Sequence, residues 1–342
     1  MNWSGAALNR AFGLLEGTGL PGVAAAVVTA EGTARQSVTG TANLETGEPL
    51  TEAHFFDLAS LTKVLVTLPE VLSLVEAGVV SLFDPLRLHL PDAGWMSETP
   101  GLGDVRLWQL LAHVSGLPAW APLYTHPAPR ETLLARVLQS RLERAPGDPA
   151  VYSDLGFITL GALVERLTGE RLDALAERRG WVTYHPGGPA AATERCPWRG
   201  RLLSGEVHDE NASALEGVSG HAGAFGRLED VARAAQGWLT DAVSPATAEV
   251  MTRRWSVDES GHPRGLGWVL AHVGCSGGDL ASGAAYGHTG FTGTSLWVEP
   301  LRGYAVVLLS NRVHPTRHGP NGDTIISLRR RFANAVHAAW RG

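Results

Sequence analysis

Ser60 and Lys63 stand three residues apart in Phe55-Phe56-Asp57-Leu58-Ala59-Ser60-Leu61-Thr62-Lys63, at the head of an apolar run from Val64 to Val75 that reads as a helix. Positions i and i+3 of a helix share a face, so the hydroxyl and the amine would lie side by side. Ser60 would also fall in the first turn, where free N–H groups and the dipole favour a developing anion. A serine hydroxyl alone is a poor nucleophile and needs a base beside it. A lysine in a partly desolvated pocket loses its preference for the charged form and can be that base. Pro69 lies inside the run and predicts a kink, well after the pair. Composition singles out the same position: the 28 basic residues are 27 arginines and one lysine, Lys63. Arginine keeps its proton in proteins and cannot serve as a base.

Three further stretches bear on this pair. Tyr152 precedes a helical pattern in Val151-Tyr152-Ser153-Asp154-Leu155-Gly156-Phe157, and Ser153 or Asp154 is placed to cap that helix. A tyrosine near a lysine has its pKa lowered and can relay a proton; the plainer reading is a packing tyrosine before a capped helix. Tyr286-Gly287-His288-Thr289-Gly290-Phe291-Thr292-Gly293 is glycine-rich. It permits close approach of a ligand to a strand, or it is simply a bulge or hairpin. Leu110-Leu111-Ala112-His113-Val114-Ser115-Gly116-Leu117-Pro118 reads as a helix end closed by Gly116.

The elements that must position these residues follow from periodicity. Met1 to Gly17 is an amphipathic helix, Gly22 to Thr29 a strand, Glu31 to Thr33 a turn and Ala34 to Gly40 a returning strand. Apolar spacing of three to four predicts helices over Leu107–His113, Glu131–Leu142, Leu155–Leu167, Leu172–Arg179, Leu228–Leu239 and Ala246–Trp255. Trp181 to Leu203 reads as loop. Strands are expected at Gly265–Val273, Gly293–Val298 and Tyr304–Leu309, with Gly287–Gly290 opening the middle one and a helix over Ile325–Trp340 closing the chain. The expected fold is α/β (α+β): an antiparallel sheet flanked by N- and C-terminal helices, plus an all-helical domain. The α/β domain is discontinuous, 1–60 with 200–342, and 61–199 forms the helical domain, with Ser60 at the junction, where clefts tend to form.

The bulk numbers exclude several classes. The 342 residues suffice for a substantial core, and the net charge of −6 without a basic block argues against nucleic acid and anionic membrane surfaces. No apolar run approaches a membrane span, and no charged-then-apolar leader opens the sequence, so the expected location is cytoplasmic. Cys196 and Cys275 make neither a disulfide framework nor a metal site. Val207-His208-Asp209-Glu210-Asn211 and Ser219-Gly220-His221-Ala222-Gly223 admit a metal-ligand reading; their spacing is not that of a helical zinc site, and a substrate-contacting loop is preferred.

Taken in order, these stretches resemble the serine β-lactamase and penicillin-binding-protein superfamily, and within it the class C branch with its related esterases and D-amino-acid peptidases. The S-x-x-K element is Ser60-Leu61-Thr62-Lys63. The family's Tyr-x-Asn is represented by Tyr152-Ser153-Asp154, and its K-T-G by His288-Thr289-Gly290. Leu110 to Pro118 and Leu309-Ser310-Asn311-Arg312-Val313-His314-Pro315 are also similar to it. The resemblance implies a β-lactamase/transpeptidase-like fold and an acyl-enzyme mechanism. Ser60 attacks a carbonyl, Lys63 and Tyr152 share the proton transfers, and the N–H groups of Ser60 and Phe291 form the oxyanion hole. Thr289, Gly290, His288 and Asp154 would contact substrate.

Two departures qualify this. Asp154 cannot donate a hydrogen bond as the family's amide does; it can pair with Lys63, hold it charged and shift base duty to Tyr152. His288 removes the lysine charge that grips a penicillin carboxylate. The expected activity is therefore hydrolysis of an ester, an amide or a peptidoglycan fragment, with weak or no β-lactamase activity and better turnover of uncharged esters or of amides with other anchors. No metal or cofactor is expected. The rival readings are a non-catalytic binder of peptidoglycan or β-lactam, and a metal-dependent hydrolase using His208 and His221.

Overall fold

The structure is a computed structural model that describes residues 3–96, 101–147 and 149–342. Of the helix expected over Met1–Gly17, Gly5–Gly13 (α1) is helical, capped by Ser4, whose side chain accepts from Ala7 N; Met1 and Asn2 lie outside the described residues. Strands Gly22–Thr29 (β1) and Gly32–Asn43 (β2) form the expected hairpin, and Glu48–Pro49 (β3) adds to it. Phe56–Asp57 (β4) leads into the Ser60 turn.

The helices Leu68–Glu76 (α2), Leu107–Leu111 (α3), Arg130–Leu138 (α4), Asp154–Thr168 (α5) and Leu172–Arg179 (α6) follow. Trp181 to Leu203 is irregular as expected, but for a small hairpin of Arg195–Cys196 (β5) and Arg201–Leu202 (β6). Next come Glu210–Ala214 (α7), Phe225–Gly226 (β7), Leu228–Thr240 (α8) and Pro245–Thr252 (α9). The last quarter holds Ser256–Val257 (β8), Pro263–Arg264 (β9), Val269–Leu270 (β10), Tyr286–Thr289 (β11), Ser295–Glu299 (β12), Tyr304–Ser310 (β13) and Asn321–Ala339 (α10).

Nine of these strands form one antiparallel sheet in the order β3-β2-β1-β13-β12-β11-β10-β9-β8, so the two ends of the chain meet at its centre. Strands β1 and β13 read as unbroken apolar runs because both faces of the sheet are covered. Val23, Ala25 and Val27, with Tyr304, Val306 and Leu308, face α1 and α10. Ala24, Ala26 and Val28, with Ala305, Val307 and Leu309, face the larger core that the helices share. Helix α8 packs against β1 and β13 from this side.

Three elements differ from expectation. The run after Ser60 is not one α-helix: Ala59–Leu61 is a 3-10 turn, Lys63–Thr67 a π-helix, and α2 begins only at Leu68. Pro69 has no N–H to give an α-helical bond to Leu65, and its ring would crowd that carbonyl. The wider π turn, closed by Leu68 N to Lys63 O, carries the chain past this point, and Pro69 then sits harmlessly in the first turn of α2. Gly265–Val273 supplies only the two-residue β10, because Gly265 N turns back to Trp268 O and Gly267 adopts φ 75°. Gly116 does not end α3; the helix stops at Leu111, and His113 itself takes φ 60°. Among the described residues no helix is long and apolar enough to cross a membrane.

The outer core holds the chain's two ends on the sheet. Phe332 of α10 is fully buried and meets Phe12 of α1 edge to face, centroids 5.2 Å apart. Phe332→Ala is expected to lower unfolding free energy in denaturant by about 3–5 kcal/mol, the usual cost of emptying a buried aromatic site. A loss below about 1 kcal/mol would mean that this contact does not anchor α10.

Candidate active site

The turn that carries Ser60 is fixed by hydroxyl and carboxylate side chains. Ala59 has φ 46°, an uncommon conformation for a residue with a Cβ. The buried Asp57 carboxylate supports it from below, accepting from Ala59 N at 2.8 Å and from His208 N at 2.6 Å. Burial pushes the Asp57 pKa up. Thr62 Oγ1 donates to Ala59 O at 2.7 Å and accepts from Ala224 N at 3.1 Å. From the sheet side, Thr292 Oγ1 donates to Asp57 O at 2.6 Å and Thr294 Oγ1 to Leu58 O at 3.0 Å. The sequence reading did not single out Asp57, Thr62, Thr292 or Thr294 for this work. The Thr-x-Thr spacing directly after His288-Thr289-Gly290-Phe291 was the available signal.

Lys63 is fully buried, and its ammonium has three partners from separate parts of the chain. It donates to Ser60 Oγ at 3.2 Å, to Asp154 Oδ1 at 2.7 Å and to His221 O at 3.0 Å. The π-helix points it inward, and α5, capped by Ser153, presents Asp154. Burial alone would discharge the lysine, but the Asp154 carboxylate and neighbouring Tyr152 outweigh it and raise the Lys63 pKa. The readily neutral lysine expected from the Ser60–Lys63 pair alone is thus replaced by the alternative that Asp154 raised in the sequence, a lysine paired with that carboxylate and held charged.

Tyr152 packs over this cation, with Lys63 Nζ 4.8 Å from the ring centroid. Its buried hydroxyl makes no hydrogen bond of normal geometry, although it lies near enough to Lys63 and Ser60 to feel both. Burial raises the Tyr152 pKa, and the lysine charge offsets this only in part. The lowered tyrosine pKa expected from sequence is therefore not found. His113 positions the loop: its ring lies 4.6 Å from the Tyr152 ring, Nδ1 accepts from Ser153 N at 3.1 Å, and its carbonyl accepts from Val151 N at 2.8 Å.

Strand β11 delivers His288, Thr289 and Gly290 to the opposite wall. Gly290 is the point of closest approach: a Cβ there would lie 2.1 Å from Thr294 Oγ1 and 2.4 Å from Leu58 O. The glycine serves contact between β11 and the Ser60 turn. His288 is buried, its Nδ1–H donates to Thr289 O at 2.9 Å, and Nε2 has no partner. Burial, helped by the charges of Lys63 and Arg264, lowers its pKa to about 3, so it is neutral at any ordinary pH. Phe291 follows in a turn with its ring half exposed; its carbonyl accepts from Arg312 Nε at 2.7 Å.

These walls enclose a cleft of about 740 Å³. Ser60, Tyr152, Asp154, His288, Thr289, Gly290 and Phe291 all line it, and Lys63 lies buried behind Ser60. Arg264, Arg312, Arg317 and Arg329 also reach the cleft, and sequence reasoning assigned none of them to it. His208 and His221 do not converge. His208 Nε2 meets Glu194 Oε2 at 3.0 Å, whereas His221 Nε2 meets Asp209 Oδ1 at 3.0 Å and its Nδ1 meets Ser219 Oγ at 2.8 Å. Among the described residues no three His, Cys, Asp or Glu side chains are grouped to hold a metal ion. Glu194, held down to about 2 by hydrogen bonds from His208 and Arg317 despite its burial, locks this loop under the cleft.

The family model described as Beta-lactamase matches residues 9–329. An N-acetylmuramyl-L-alanine amidase of Bacillus subtilis is 31% identical, over 76% of this chain and 68% of that protein. A Salmonella agona protein, named only provisionally as a D-alanyl-D-alanine carboxypeptidase, is 32% identical over 76% of this chain and 69% of its own. Among solved structures, the hydrolase EstCE1, described as having promiscuous acyltransferase activity, superposes with a TM-score of 0.74 at 20% identity, covering 97% of this chain and 100% of that one. A β-lactamase of Mycobacterium bovis gives 0.66 at 24% identity, with 97% and 100% covered. These two likenesses confirm the fold expected above.

Two outcomes follow from the geometry. Gly290→Ala must push β11 away from the Ser60 turn, so reactivity of Ser60 toward an acylating probe should fall by about 100-fold or more, as when an oxyanion donor is displaced, while the far-UV spectrum is kept. Unchanged reactivity would show that the contact is not needed. Because His288 is neutral down to about pH 3, His288→Gln should leave the limbs of the pH–rate profile between pH 5 and 9 where they are. Loss of a limb near neutrality in the variant would contradict that.

Proposed function

The chain belongs to the beta-lactamase family, and from that premise we propose that it is a serine hydrolase of the class C-like branch, with Ser60-Leu61-Thr62-Lys63 as its S-x-x-K element. It acts through an acyl-enzyme on an ester or amide, with peptidoglycan fragments as the natural class of amide. The names of the amidase and carboxypeptidase relatives support that class. The observation that carries the reading is the chain from Ser60 Oγ to Lys63 Nζ at 3.2 Å and on to Asp154 Oδ1 at 2.7 Å, at the wall of the cleft. The cleft is read as the junction of an α/β part, 1–60 with 200–342, and a helical part, 61–199.

Ser60 Oγ attacks the substrate carbonyl carbon. The resting Lys63 is an ammonium and cannot accept a proton. It gives one to Asp154 Oδ1 as it takes the Ser60 proton, so the charge of the group is unchanged while the alkoxide forms. Substrate closing the cleft removes water, which favours the neutral lysine–acid pair over the ion pair. Tyr152, protonated at rest and beside both groups, passes a proton to the leaving oxygen or nitrogen and is refilled from Lys63. The N–H groups of Ser60 and Phe291 hold the oxyanion; one such donor is worth roughly 3 kcal/mol in the transition state. Water then cleaves the Ser60 ester by the reverse proton route.

A fluorophosphonate probe is expected to label the protein at Ser60 and to leave Ser60→Ala unlabelled. Lys63→Arg keeps the charge but forfeits proton exchange, and should slow labelling about 100- to 10 000-fold. Failure of the wild type to label would favour the reading as a non-catalytic binder of peptidoglycan or β-lactam. Equal labelling of Ser60→Ala would move the nucleophile elsewhere.

A further inference from the structure

The cleft of the proposed hydrolase opens past a row of aromatic rings that the proton transfers do not use. Trp120 and Tyr124 line it, and Trp198, in the turn between β5 and β6, continues the row outward. The Trp120 and Tyr124 rings lie 6.2 Å apart, and Tyr124 meets Trp198 edge to face at 4.9 Å. Trp120 is 47% exposed and Trp198 58%. So much indole surface left in water beside a cleft marks a place where a ligand lies.

Hydrogen bonds pin the loop that carries Trp120 and Tyr124. Ser153 Oγ donates to Pro118 O at 2.6 Å and Asp154 N to Ala119 O at 2.9 Å. Asn211 of α7 accepts from Tyr124 N at 3.3 Å and donates to Ala121 O at 2.8 Å. The rings are thus preset, and little freedom is lost when a ligand settles on them. Asp209 and Glu210, the neighbours of Asn211, line the cleft as well. Asp209 Oδ1 is engaged by Ala212 N and His221, and Glu210 Oε1 by Arg317, while a carboxylate has further lone pairs to offer. A half-wet aromatic surface beside such acceptors suits a ligand that is apolar on its face and polar at its rim. A pyranose ring is built in this way, with C–H bonds on the face and hydroxyls around the edge. An alkyl or aryl group would leave the acceptors unanswered and suits an enclosed pocket better.

We infer that Trp120, Tyr124 and Trp198 form a saccharide subsite, on which a sugar ring attached to the acyl part of the substrate lies. Tyr152, which serves the leaving group, packs against His113, His288 and Arg264, whereas the aromatic row is anchored to α7 and reaches the β5–β6 turn. The sugar therefore belongs to the part that stays on Ser60. The inference rests on the proposed hydrolase and narrows its peptidoglycan fragments to those that carry a sugar on the acyl side. The row touches that sugar, and the proton transfers stay with Lys63, Asp154 and Tyr152.

Protection of Ser60 from a fluorophosphonate reads occupancy of the cleft whatever bond the enzyme prefers to break. Three acids share a lactyl carboxylate and differ in what its oxygen carries: N-acetylmuramic acid, (R)-2-(cyclohexyloxy)propanoic acid and lactic acid. N-acetylmuramic acid should protect at a concentration about 10-fold or more below either of the others. Trp120→Ala and Trp198→Ala should each raise that concentration about 10-fold, the usual weight of a truncated tryptophan anchor, and Trp198→Phe should restore part of the loss. Each variant is scored against its own unprotected rate, at an unchanged melting temperature. Equal or better protection by the cyclohexyl acid marks an apolar acyl pocket and overturns the saccharide subsite. Equal protection by lactic acid, or protection unaltered in both alanine variants, overturns it too; with Ser60 still labelled, the hydrolase stands in each case. Should the fluorophosphonate not label the wild type, tryptophan fluorescence titrated with N-acetylmuramic acid decides. A response that Trp198→Ala loses keeps the subsite without the hydrolase, and no response removes both.

Discussion

A buried ammonium cannot be left without acceptors, and the core of this structure is arranged to provide them for Lys63. Its three partners come from the Ser60 turn, from the first residue of α5 and from the loop that follows α7. An uncompensated buried charge costs several kcal/mol, so each of these segments is held where the lysine needs it. The π-helix that carries Lys63 is part of the same arrangement. It rotates the side chain toward α5 while passing the proline that an uninterrupted α-helix could not have accepted at that point.

The second constraint is the short distance between β11 and the Ser60 turn. Two threonine hydroxyls donate to the carbonyls of Asp57 and Leu58, and the glycine between them and the strand leaves no room for a side chain. Arg329 adds hydrogen bonds to the same turn from behind. The sheet fixes β11 through β12 and β13, and β13 is bound to β1 along its length. A chain of backbone pairings therefore runs from the N-terminal strand to the wall of the cleft. That coupling supports the Ser60 turn, in which Ala59 sits at positive φ.

Much of this was legible in the sequence, and the limits of what was legible have physical causes. Ser60 and Lys63 could be read from spacing and from the isolation of one lysine among arginines. β1 and β13 could be read because strands covered on both faces are continuously apolar. The interruption after Ser60 was visible only as Pro69, since propensity alone does not say whether a helix kinks, unwinds or widens. The charge state of Lys63 was left between a neutral base and a cation held by Asp154, and that of Tyr152 was misjudged, because the distance from this carboxylate to the amine is a tertiary fact. Arg264 was invisible for a related reason. Its strand is two residues long, and only the pairing of that strand with its neighbours brings the side chain to the cleft. His208 and His221 looked alike in sequence, yet the β5–β6 segment brings Glu194 to the first and α7 brings Asp209 to the second.

One consequence of burying Lys63 concerns the outside of the molecule. No other side-chain amine exists in the sequence, and this one is wholly inaccessible. Acetyl donors, aldehydes and succinimidyl esters, which seek lysines on protein surfaces, find only guanidinium groups among the Lys and Arg side chains there, and those are far weaker nucleophiles at neutral pH. The exterior is thereby closed to lysine-directed modification and cross-linking, whether enzymatic or accidental.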